Sequence, residues 1–423
     1  MRSRANRLQG SSERQEERFG RMVASKRLAR FCGIDIAKDQ HVACILDRDG
    51  GPVLRPSSFA NTAEGFQRLL DRLKETGKTA SVLIGMEATG HYWYSLHDFL
   101  TRCGYTVVVL NPIQTARQVA QAIRKCKTDK SDATHIAELL RSGKYKPAAI
   151  PGELAMTCRQ LTRLRHSMFQ QQTRIKQLLW SKLHPIWPEY ESLFANPFGT
   201  TARAVLRREM APQGILDMDP EAFADMIRSL SHGKLGQQKA QEIRHAAETS
   251  VGMRRGRDGI HMGIHYLLDQ MEALEPIRKR LETQIETLAE QLPPYLLTLP
   301  GATPMTVVSL YGEVDPIETF GRPSQLVAFA GLDAAVFQTG QYDAPHRHIS
   351  KRGSPFLRQT LWKMAYRALQ QEGDLRNFWL KKKRQKKHQL VAVTAVARKL
   401  CHVVWRIMTD RRDYIPQGYH PKS

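Results

Sequence analysis

The sequence lacks the features that mark secreted, disulfide-bonded and membrane proteins. Its six cysteines form no C-x-x-C pair, and several lie in apolar runs, where buried thiols are ordinary. There is no secretory hydrophobic region and no apolar run long enough to span a membrane. We therefore expect a soluble cytoplasmic protein whose cysteines assign no function.

Acidic residues are scarce relative to basic ones. The 423-residue chain carries 64 Lys and Arg against 41 Asp and Glu, which gives a formal net charge of +23. Such an imbalance attracts polyanions without giving sequence specificity. Basic residues crowd the first 30 positions and recur in the run 381–388. A basic run by itself is also explained by a solvated face or tail, so it needs a second signal.

Residues 31–110 have the pattern of an α/β domain, because short apolar runs alternate with amphipathic stretches. The runs before and after residue 40 predict a hairpin, and later strands separated by a helix imply a partly parallel sheet. The pattern predicts strands at 31–38, 41–46, 53–59, 81–87 and 105–110, with helices at 61–75, capped by Asn61, and 91–103.

Four carboxylates stand out within this pattern. Asp35 lies inside an apolar strand, and Glu87 ends a later one. Asp129 and Asp132 are spaced i, i+3 at the start of a helix running to about Leu140, so they can share a face. Either alone is explained by a helix N-cap, but an unpaired Asp buried in a strand is costly. Because Mg²⁺ prefers oxygen ligands, the four acids predict metal-dependent phosphodiester chemistry.

Three motifs in order carry a resemblance to a known family. They are Gly33-Ile34-Asp35-Ile36-Ala37-Lys38, Met86-Glu87-Ala88-Thr89-Gly90, and Asn111-Pro112 followed by Lys127-Thr128-Asp129-Lys130-Ser131-Asp132-Ala133. These three motifs resemble those of the DEDD transposases of the one-ten/eleven-eleven family of insertion sequences, which are relatives of Piv-type DNA invertases. The resemblance implies an RNase H-like (RuvC-type) N-terminal domain in which Asp35, Glu87, Asp129 and Asp132 bind Mg²⁺, with Mn²⁺ as a substitute.

The second half resembles the family's other domain. Residues 326–333, Gln338-Thr339-Gly340, 348–353 and Leu357-Arg358 carry that likeness. The family usually has a serine nucleophile before the glycine, where this chain has Thr339, and Ser350 is a nearby alternative hydroxyl. A threonine hydroxyl can do the same chemistry, although its methyl makes it bulkier and stiffer. The expected nucleic-acid contacts are Lys351, Arg352, Arg358, Lys381, Lys382, Lys383, Arg384, Lys386 and Lys387.

The middle of the chain predicts long helices at about 152–193 and 262–292. Leucines recur every seven residues in the second helix, which indicates a coiled-coil or helical-hairpin seam. Arg278 interrupts this seam, and Pro276 is expected to kink it. An antiparallel hairpin, a dimerising stalk and packing onto the chain's own domains all remain open, and residues 196–257 have no clear assignment.

The segment Leu299-Pro300-Gly301-Ala302-Thr303-Pro304 resembles the entrance of a helix-hairpin-helix motif, whose backbone amides can bind a phosphate. The usual second glycine is missing. An ordinary turn before a core helix explains the same residues.

The resemblance predicts a mainly α C-terminal domain after a helical coiled-coil connector. The expected boundaries are a basic extension at 1–29, a RuvC-like catalytic domain at 30–148, the connector at 149–293, the transposase domain at 294–405 and a tail at 406–423.

The expected function is that of a transposase or DNA recombinase. The resemblance further implies a dimer or tetramer whose active site combines one protomer's acids with another's hydroxyl. It also implies a structured bridge RNA that pairs with donor and target DNA, in a bacterial or archaeal cell where the protein acts at the nucleoid. A Piv-type invertase, a RuvC-like nuclease that uses metal-activated water, and an inactive nucleic-acid-binding regulator are the alternatives.

Overall fold

The structure is a computed structural model. It describes residues 28–88, 90–110, 129–145, 147–148, 150–208, 212–253, 255–334, 338–339, 342–343 and 348–416. The basic residues before position 28 and the motif residues Asn111, Pro112, Lys127 and Thr128 lie outside these ranges. The chain divides into two compact units, one made of Met1–Glu153, Val314–Pro355 and Leu390–Arg412, the other of Leu154–Glu313, Phe356–Gln389 and Asp413–Ser423. The sequence-based domain boundaries remain predictions.

The first unit begins with the predicted α/β domain. Its elements are β1 (Arg30–Asp35), β2 (Gln40–Leu46), β3 (Pro52–Ala60), α1 (Ala63–Thr76), β4 (Val82–Glu87), α2 (Trp93–Arg102), β5 (Thr106–Leu110) and α3 (Asp129–Ser142), with a 3₁₀ turn at Thr79–Ser81.

The five strands form one mixed sheet in the order β3-β2-β1-β4-β5. β1 pairs antiparallel with β2, and β2 pairs antiparallel with β3, so these three strands form a meander. β4 pairs in parallel with β1, and β5 pairs in parallel with β4. Parallel pairing requires a crossover connection, which α1 provides before β4 and α2 provides before β5. The partly parallel sheet expected from the sequence is thereby confirmed.

Each face of the sheet is covered by helices. Cys32 and Ile34 of β1 pack against α1 and α2, in a core that includes Leu69 and Leu96. Phe31, on the opposite face, packs with Leu140 of α3. Alternate residues of the strand therefore serve two separate cores, which explains why its sequence is apolar almost throughout.

Helix α3 approaches the sheet closely at two glycines. A Cβ atom on Gly33 would lie 2.1 Å from the carbonyl oxygen of Ala133 and 2.4 Å from the amide nitrogen of Ala137. A Cβ on Gly85 of the neighbouring strand would lie 2.7 Å from a methyl carbon of Leu140. Residues without a Cβ are required at Gly33, because the obstructing atoms belong to the backbone of α3.

The start of α1 differs from the expectation. Thr62 is the N-cap, since its hydroxyl accepts a hydrogen bond from Gly65 N. Asn61, the expected cap, instead donates its side-chain amide to Lys38 O at 3.0 Å and its backbone N–H to Asp39 O at 2.9 Å. It therefore holds the connection between β1 and β2, immediately after Asp35.

The remainder of the chain is mostly helical. The elements are α4 (Glu153–Ile186), α5 (Tyr190–Leu193), α6 (Thr200–Arg208), α7 (Pro212–Asp217), α8 (Pro220–Leu230), α9 (Gln237–Glu248), α10 (Arg257–Ala289), α11 (Pro304–Val314), α12 (Pro323–Phe329), β6 (Gln338–Thr339), β7 (Tyr342–Asp343), α13 (Pro355–Ala368), α14 (Asp374–Arg384) and α15 (Gln389–Asp410), with 3₁₀ turns at Pro294–Thr298 and Ile317–Thr319.

The two long helices of the second unit form an antiparallel hairpin. Arg165 of α4 pairs with Glu282 of α10, whereas Lys182, further along α4, contacts the Gly263 position near the start of α10. The hairpin alternative for the coiled-coil seam is thus the observed one. Helix α10 continues through Pro276, and Arg278 is accommodated at the seam by an ion pair with Glu282 at 2.6 Å.

The segment that had no assignment, 196–257, forms short helices that pack on the end of this hairpin. Phe223 and Ile227 of α8 are buried in one core with Leu183 of α4 and Leu268 of α10. A local signal for α8 exists in the sequence, because Asp219 caps the helix through its carboxylate and Pro220 occupies the first turn.

The turn before α11 is internally satisfied. Ala302 N donates to Leu299 O at 3.0 Å, and Thr303 N donates to the hydroxyl of Thr306 at 2.8 Å. A Cβ on Gly301 would lie 2.0 Å from Met364 O of α13. These contacts favour the ordinary turn over a phosphate-binding hairpin, because the amides are engaged and the glycine packs against a helix. Among the described helices, none is long and apolar enough to cross a membrane.

We expect Gly33→Ala to destabilise the protein by about 3 kcal/mol, because the new methyl must displace the backbone of α3. Thermal unfolding followed by circular dichroism measures the change. Gly259→Ala is the matched control: nothing lies within 4 Å of its Cβ position in α10, so the helix should gain about 0.5–1 kcal/mol. Equal melting temperatures for Gly33→Ala and the wild type would disprove the close approach.

Candidate active site

Two of the predicted acids lie side by side at one edge of the sheet. In the parallel pairing of β1 and β4, Ile34 is the partner of Met86. Asp35 and Glu87 each follow by one residue, so they end adjacent strands at the same level, about 5 Å apart in backbone position. Both are half-buried. Since Gly33 and Gly85 face α3, alternation directs Asp35 and Glu87 to that same face.

Helix α3 brings a third carboxylate to this edge. Its residues Ile136 and Leu140 lie against the core of the sheet, while Ala133, nearer its start, lies over Gly33. The helix therefore runs antiparallel to β1, and its N-terminus lies at the edge where Asp35 ends the strand. Asp132 precedes Ile136 by one turn and is half-buried on the same helix face. Carboxylates at this end are also favoured by the helix dipole.

Asp129 is the first residue of α3, and its side chain lies outside the described part of the structure. The described side chains form no group of three or more His, Cys, Asp and Glu close enough to hold a metal ion. The donor chemistry nevertheless suits a hard divalent cation, because Asp35, Glu87 and Asp132 all offer carboxylate oxygens. The residues present therefore fit Mg²⁺ in ligand type.

The connection that follows Asp35 is held by His41. Its Nδ1 accepts a hydrogen bond from Ala37 N at 3.3 Å, and its ring contacts Phe59 with 5.3 Å between centroids. Burial lowers the pKa of His41 below its ordinary value, so the ring is neutral at pH 7. A neutral, buried ring holds the chain in place and adds no charge beside the carboxylates.

The predicted nucleophile lies in a small hairpin of the first unit. Thr339 ends β6, and its strand partner in β7 is Tyr342, with Gln338 opposite Asp343. The side chain of Thr339 lies outside the described part of the structure. The backbone nevertheless places this residue next to the two-residue connection between strands.

The other candidate hydroxyl, Ser350, belongs to the base of this hairpin. Its hydroxyl donates a hydrogen bond to the Asp333 carboxylate, and its N–H donates to Asp333 O at 2.8 Å. A β-bridge between Ala334 and Ile349 lies beside this pair, and Lys351 N donates to Gly331 O at 3.1 Å. The strands leading into and out of the hairpin are thus tied together. Sequence reasoning gave no role to Asp333, although it ends the quoted run Leu326–Asp333.

The predicted nucleic-acid contacts fall into two groups. Lys351 and Arg352 are exposed beside the hairpin base, and Lys351 has a left-handed backbone with φ 53°. Arg358 is half-buried in α13. The second group lies in α14 and just beyond it, where most of the cations are exposed: Lys381, Lys382, Lys383, Arg384, Lys386 and Lys387. Cations in a last turn also suit the helix dipole, so their position is explained without a ligand too.

The sheet order, the antiparallel meander followed by parallel strands, and the carboxylates at the ends of β1 and β4 define an RNase H-like domain, a class that includes enzymes acting on polynucleotides. Comparison with known families identifies the branch. Residues 32–188 match the DEDD transposase profile of IS110 elements, and residues 294–380 match the profile described as transposase of the IS116/IS110/IS902 family. Together they cover more than half of the chain.

Individual relatives agree with these profiles. A 44.8 kDa protein of insertion element IS116 from Streptomyces clavuligerus is 23% identical over 91% of this chain and 96% of its own length. The transposase of IS1111A from Coxiella burnetii is 31% identical over 28% of this chain and 33% of its own. The pilin gene-inverting protein of Moraxella bovis is 30% identical over 25% and 33%, respectively. The chain belongs to the IS110/IS116 family of DEDD transposases and is a transposase enzyme.

We expect Ser350→Ala to loosen the hairpin base, because the Asp333 carboxylate loses its hydroxyl donor. Hydrogen exchange followed by mass spectrometry should show faster exchange in peptides covering residues 329–334 and 349–354. Peptides covering β4 are the internal control and should be unchanged. Unaltered exchange at the hairpin base would mean that the Asp333–Ser350 hydrogen bond does not hold it.

Proposed function

We propose that this transposase cuts and rejoins DNA at the ends of an insertion sequence through metal-dependent attack of a protein hydroxyl. One observation supports the proposal most directly: Asp35 and Glu87 lie next to each other at the ends of adjacent parallel strands. Asp132 lies on the face of α3 that covers this edge of the sheet. Carboxylates at the ends of two adjacent strands, with a third on the helix that covers them, offer the oxygen ligands that Mg²⁺ prefers.

The four acids, Asp35, Glu87, Asp129 and Asp132, are the proposed ligands of Mg²⁺, for which Mn²⁺ can substitute. When bound, such an ion supplies electrostatic stabilisation of the phosphate oxygens in the transition state. The chain's own contribution is to fix the ligands. Asp35 and Glu87 are held by strand pairing, Asp132 by α3, and the loop after Asp35 by His41 and Asn61.

Thr339 is the proposed nucleophile. Its hydroxyl oxygen forms an ester bond to a DNA phosphorus as the bond from that phosphorus to one deoxyribose oxygen breaks. The hydroxyl proton leaves to solvent or a base, and the released deoxyribose oxygen takes up a proton. Rejoining is the reverse attack by a deoxyribose hydroxyl from another strand, which frees Thr339 again. The bond energy of the phosphodiester is thus conserved, as DNA rejoining requires.

Ser350 is a weaker candidate for this role, because its hydroxyl already donates to Asp333 at the base of the hairpin. That contact suits a positioning residue. The exposed cations of α14, together with Lys351, Arg352 and Arg358, are the proposed contacts to nucleic-acid backbone. A structured bridge RNA and a homo-oligomer with a composite active site complete the proposal, and both rest on the family resemblance.

A specific comparison favours one alternative activity. The likeness to pilin gene-inverting proteins is confined to about a quarter of this chain. The same residues could invert a DNA segment between two sites of one molecule. A plasmid carrying two inverted sites, tested beside one carrying separate donor and target sites, distinguishes inversion from transposition.

We expect a covalent protein–DNA adduct that depends on Thr339. The full chain is incubated with Mg²⁺, co-purified RNA and labelled DNA carrying the element's ends, and the products are separated on a denaturing gel. Thr339→Ala and Asp132→Ala should each abolish the adduct, because one removes the attacking oxygen and the other a ligand. Ser350→Ala is the control and should retain some adduct.

Two results would overturn this mechanism. Cleavage that needs Asp132 but leaves no adduct and ignores Thr339 would identify a nuclease using metal-activated water. An adduct that persists in Thr339→Ala and disappears in Ser350→Ala would move the nucleophile to Ser350.

We expect the acidic edge to bind Mn²⁺ in the absence of DNA. Electron paramagnetic resonance of free Mn²⁺ gives the affinity, which Asp35→Asn and Glu87→Gln should each weaken about tenfold or more, because a charged ligand is lost. Glu64→Gln, an exposed carboxylate of α1, is the matched control. Equal Mn²⁺ affinity in all four proteins would place the metal elsewhere.

A further inference from the structure

The second unit contains a cavity of about 520 Å³ that the acidic site does not use. Its walls come from α4, α11 and α13. It is lined by cations, amides, hydroxyls and aromatic rings, among them Arg165, Phe169, Gln170, Arg174, Thr360 and Lys363. No carboxylate is among the lining residues described by the structure. A cavity of this size is typical of small-ligand sites, and this lining selects for an anion.

The charge around the cavity is positive even after internal pairing. Arg165 and Arg278 share one carboxylate, Glu282, with contacts of 2.7 Å and 2.6 Å. Two guanidinium groups on one carboxylate leave a net positive charge. Arg174 and Lys363 add two more, and no described carboxylate pairs with either of them within salt-bridge distance. The cavity therefore concentrates cations that the fold itself leaves uncompensated.

The pKa of Lys363 reflects this excess of positive charge around the cavity. Burial and the nearby Arg165 guanidinium lower the pKa of Lys363 below its ordinary value. A bound anion would stabilise the ammonium form and reverse that effect. An anion bound at Lys363 thus offsets a repulsion present in the protein alone.

The uncharged groups of the cavity suit a nucleotide better than a bare anion. Phe169 remains 40% exposed although the Arg165 guanidinium lies 4.6 Å from its ring centroid, and Arg278 lies at 5.4 Å. Both guanidinium groups lie over the ring, and layered aromatic and guanidinium planes of this kind form the platforms on which unpaired bases stack. Gln170 and the hydroxyl pair of Ser309 and Thr360, 2.7 Å apart, offer donors and acceptors for a base edge or a ribose hydroxyl.

The walls of the cavity are held together by buried polar contacts. Arg163 of α4 donates two hydrogen bonds, at 2.7 Å and 3.0 Å, to Glu313 at the end of α11, and Glu313 is only 2% exposed. One turn earlier, Arg159 donates to Gly312 O at 2.7 Å. A two-bond guanidinium–carboxylate pair fixes direction as well as distance. The cavity is therefore a preformed feature of the unit.

We propose that this cavity binds one unpaired nucleotide of a single-stranded nucleic acid, with its phosphate at Arg174 and Lys363 and its base against Phe169. The choice of nucleic acid rests on the family's action on DNA. The proposal does not require Thr339 or the acidic edge. RNA and single-stranded DNA share the recognised chemistry, and the ribose hydroxyl is what distinguishes them.

The test uses the full chain and 5′-phosphorylated eight-nucleotide single strands of RNA and DNA. Fluorescence anisotropy in EDTA, at several KCl concentrations, measures binding without cleavage. Arg174→Gln and Lys363→Gln should each weaken binding about fivefold or more and reduce the salt slope by about 0.7. Lys176→Gln, an exposed cation of α4 outside the lining, is the matched control. Phe169→Ala should weaken binding about tenfold, with Leu178→Ala, also exposed on α4, as its control.

A photoreactive thio-base placed in the same strands locates the contact. Cross-links should map to peptides containing residues 165–174 and should disappear in Phe169→Ala. Thermal unfolding of each variant verifies that it is folded. Tighter binding of RNA than of DNA, or the reverse, identifies the source of the nucleotide.

Three results overturn the proposal. Equal weakening by Arg174→Gln and Lys176→Gln would assign binding to the general positive charge of the chain. Cross-links confined to other peptides would place the nucleotide elsewhere. Displacement of the oligonucleotide by an oligoglutamate peptide at equal concentration would indicate an acidic protein partner. Because the assay involves no adduct, a failure of the hydroxyl mechanism leaves its outcome unaffected.

Discussion

The backbone contact between α3 and the sheet at Gly33 is the constraint on which the acidic site depends. A side chain at that position would meet backbone atoms of Ala133 and Ala137, so only glycine allows the helix this close. The helix also lies close to Gly85, but there a Cβ atom would meet only the side chain of Leu140, which can move more easily than backbone. With the helix so placed, its first turn falls at the strand ends. Asp132 of α3 thereby lies at the edge that Asp35 and Glu87 occupy, and this geometry follows from packing alone.

Charge is distributed in two ways in this strongly basic chain. Three arginines of the helical hairpin are paired: Arg165 and Arg278 with Glu282, and Arg163 with the buried Glu313 of α11. These pairs orient helices, and their guanidinium groups also pack on aromatic rings. Elsewhere, as in the exposed run of α14, cations have mainly solvent around them. The formal net charge of the chain is +23, and its natural counterpart is the phosphate backbone of the DNA on which a transposase acts.

The pattern of neighbouring residues along the chain is sufficient to predict the sheet domain. It is insufficient to predict sites that are built from segments far apart in the sequence. Strand periodicity predicted β1 and β4 and put Glu87 at the end of its strand, because this pattern is a property of consecutive residues. Asp35, expected inside a strand at 31–38, is instead the last residue of β1. The N-cap of α1 was misassigned to Asn61, since two adjacent residues can cap and only the β1–β2 connection decides between them. The helices of 196–257 are short, and their apolar faces become meaningful only against α4 and α10. The cavity draws on residues more than 100 positions apart, so no sequence window contains it.

A threonine in place of the family's usual serine is physically compatible with the proposed chemistry. Thr339 ends a strand, and β-branched residues are favoured in strands because their restricted χ1 suits the pleated backbone. The same restriction lowers the entropy lost when the hydroxyl is held in one attacking orientation. The orientation of the Thr339 hydroxyl in the proposed reaction therefore depends on the hairpin backbone, whose base is held by the two hydrogen bonds from Ser350 to Asp333.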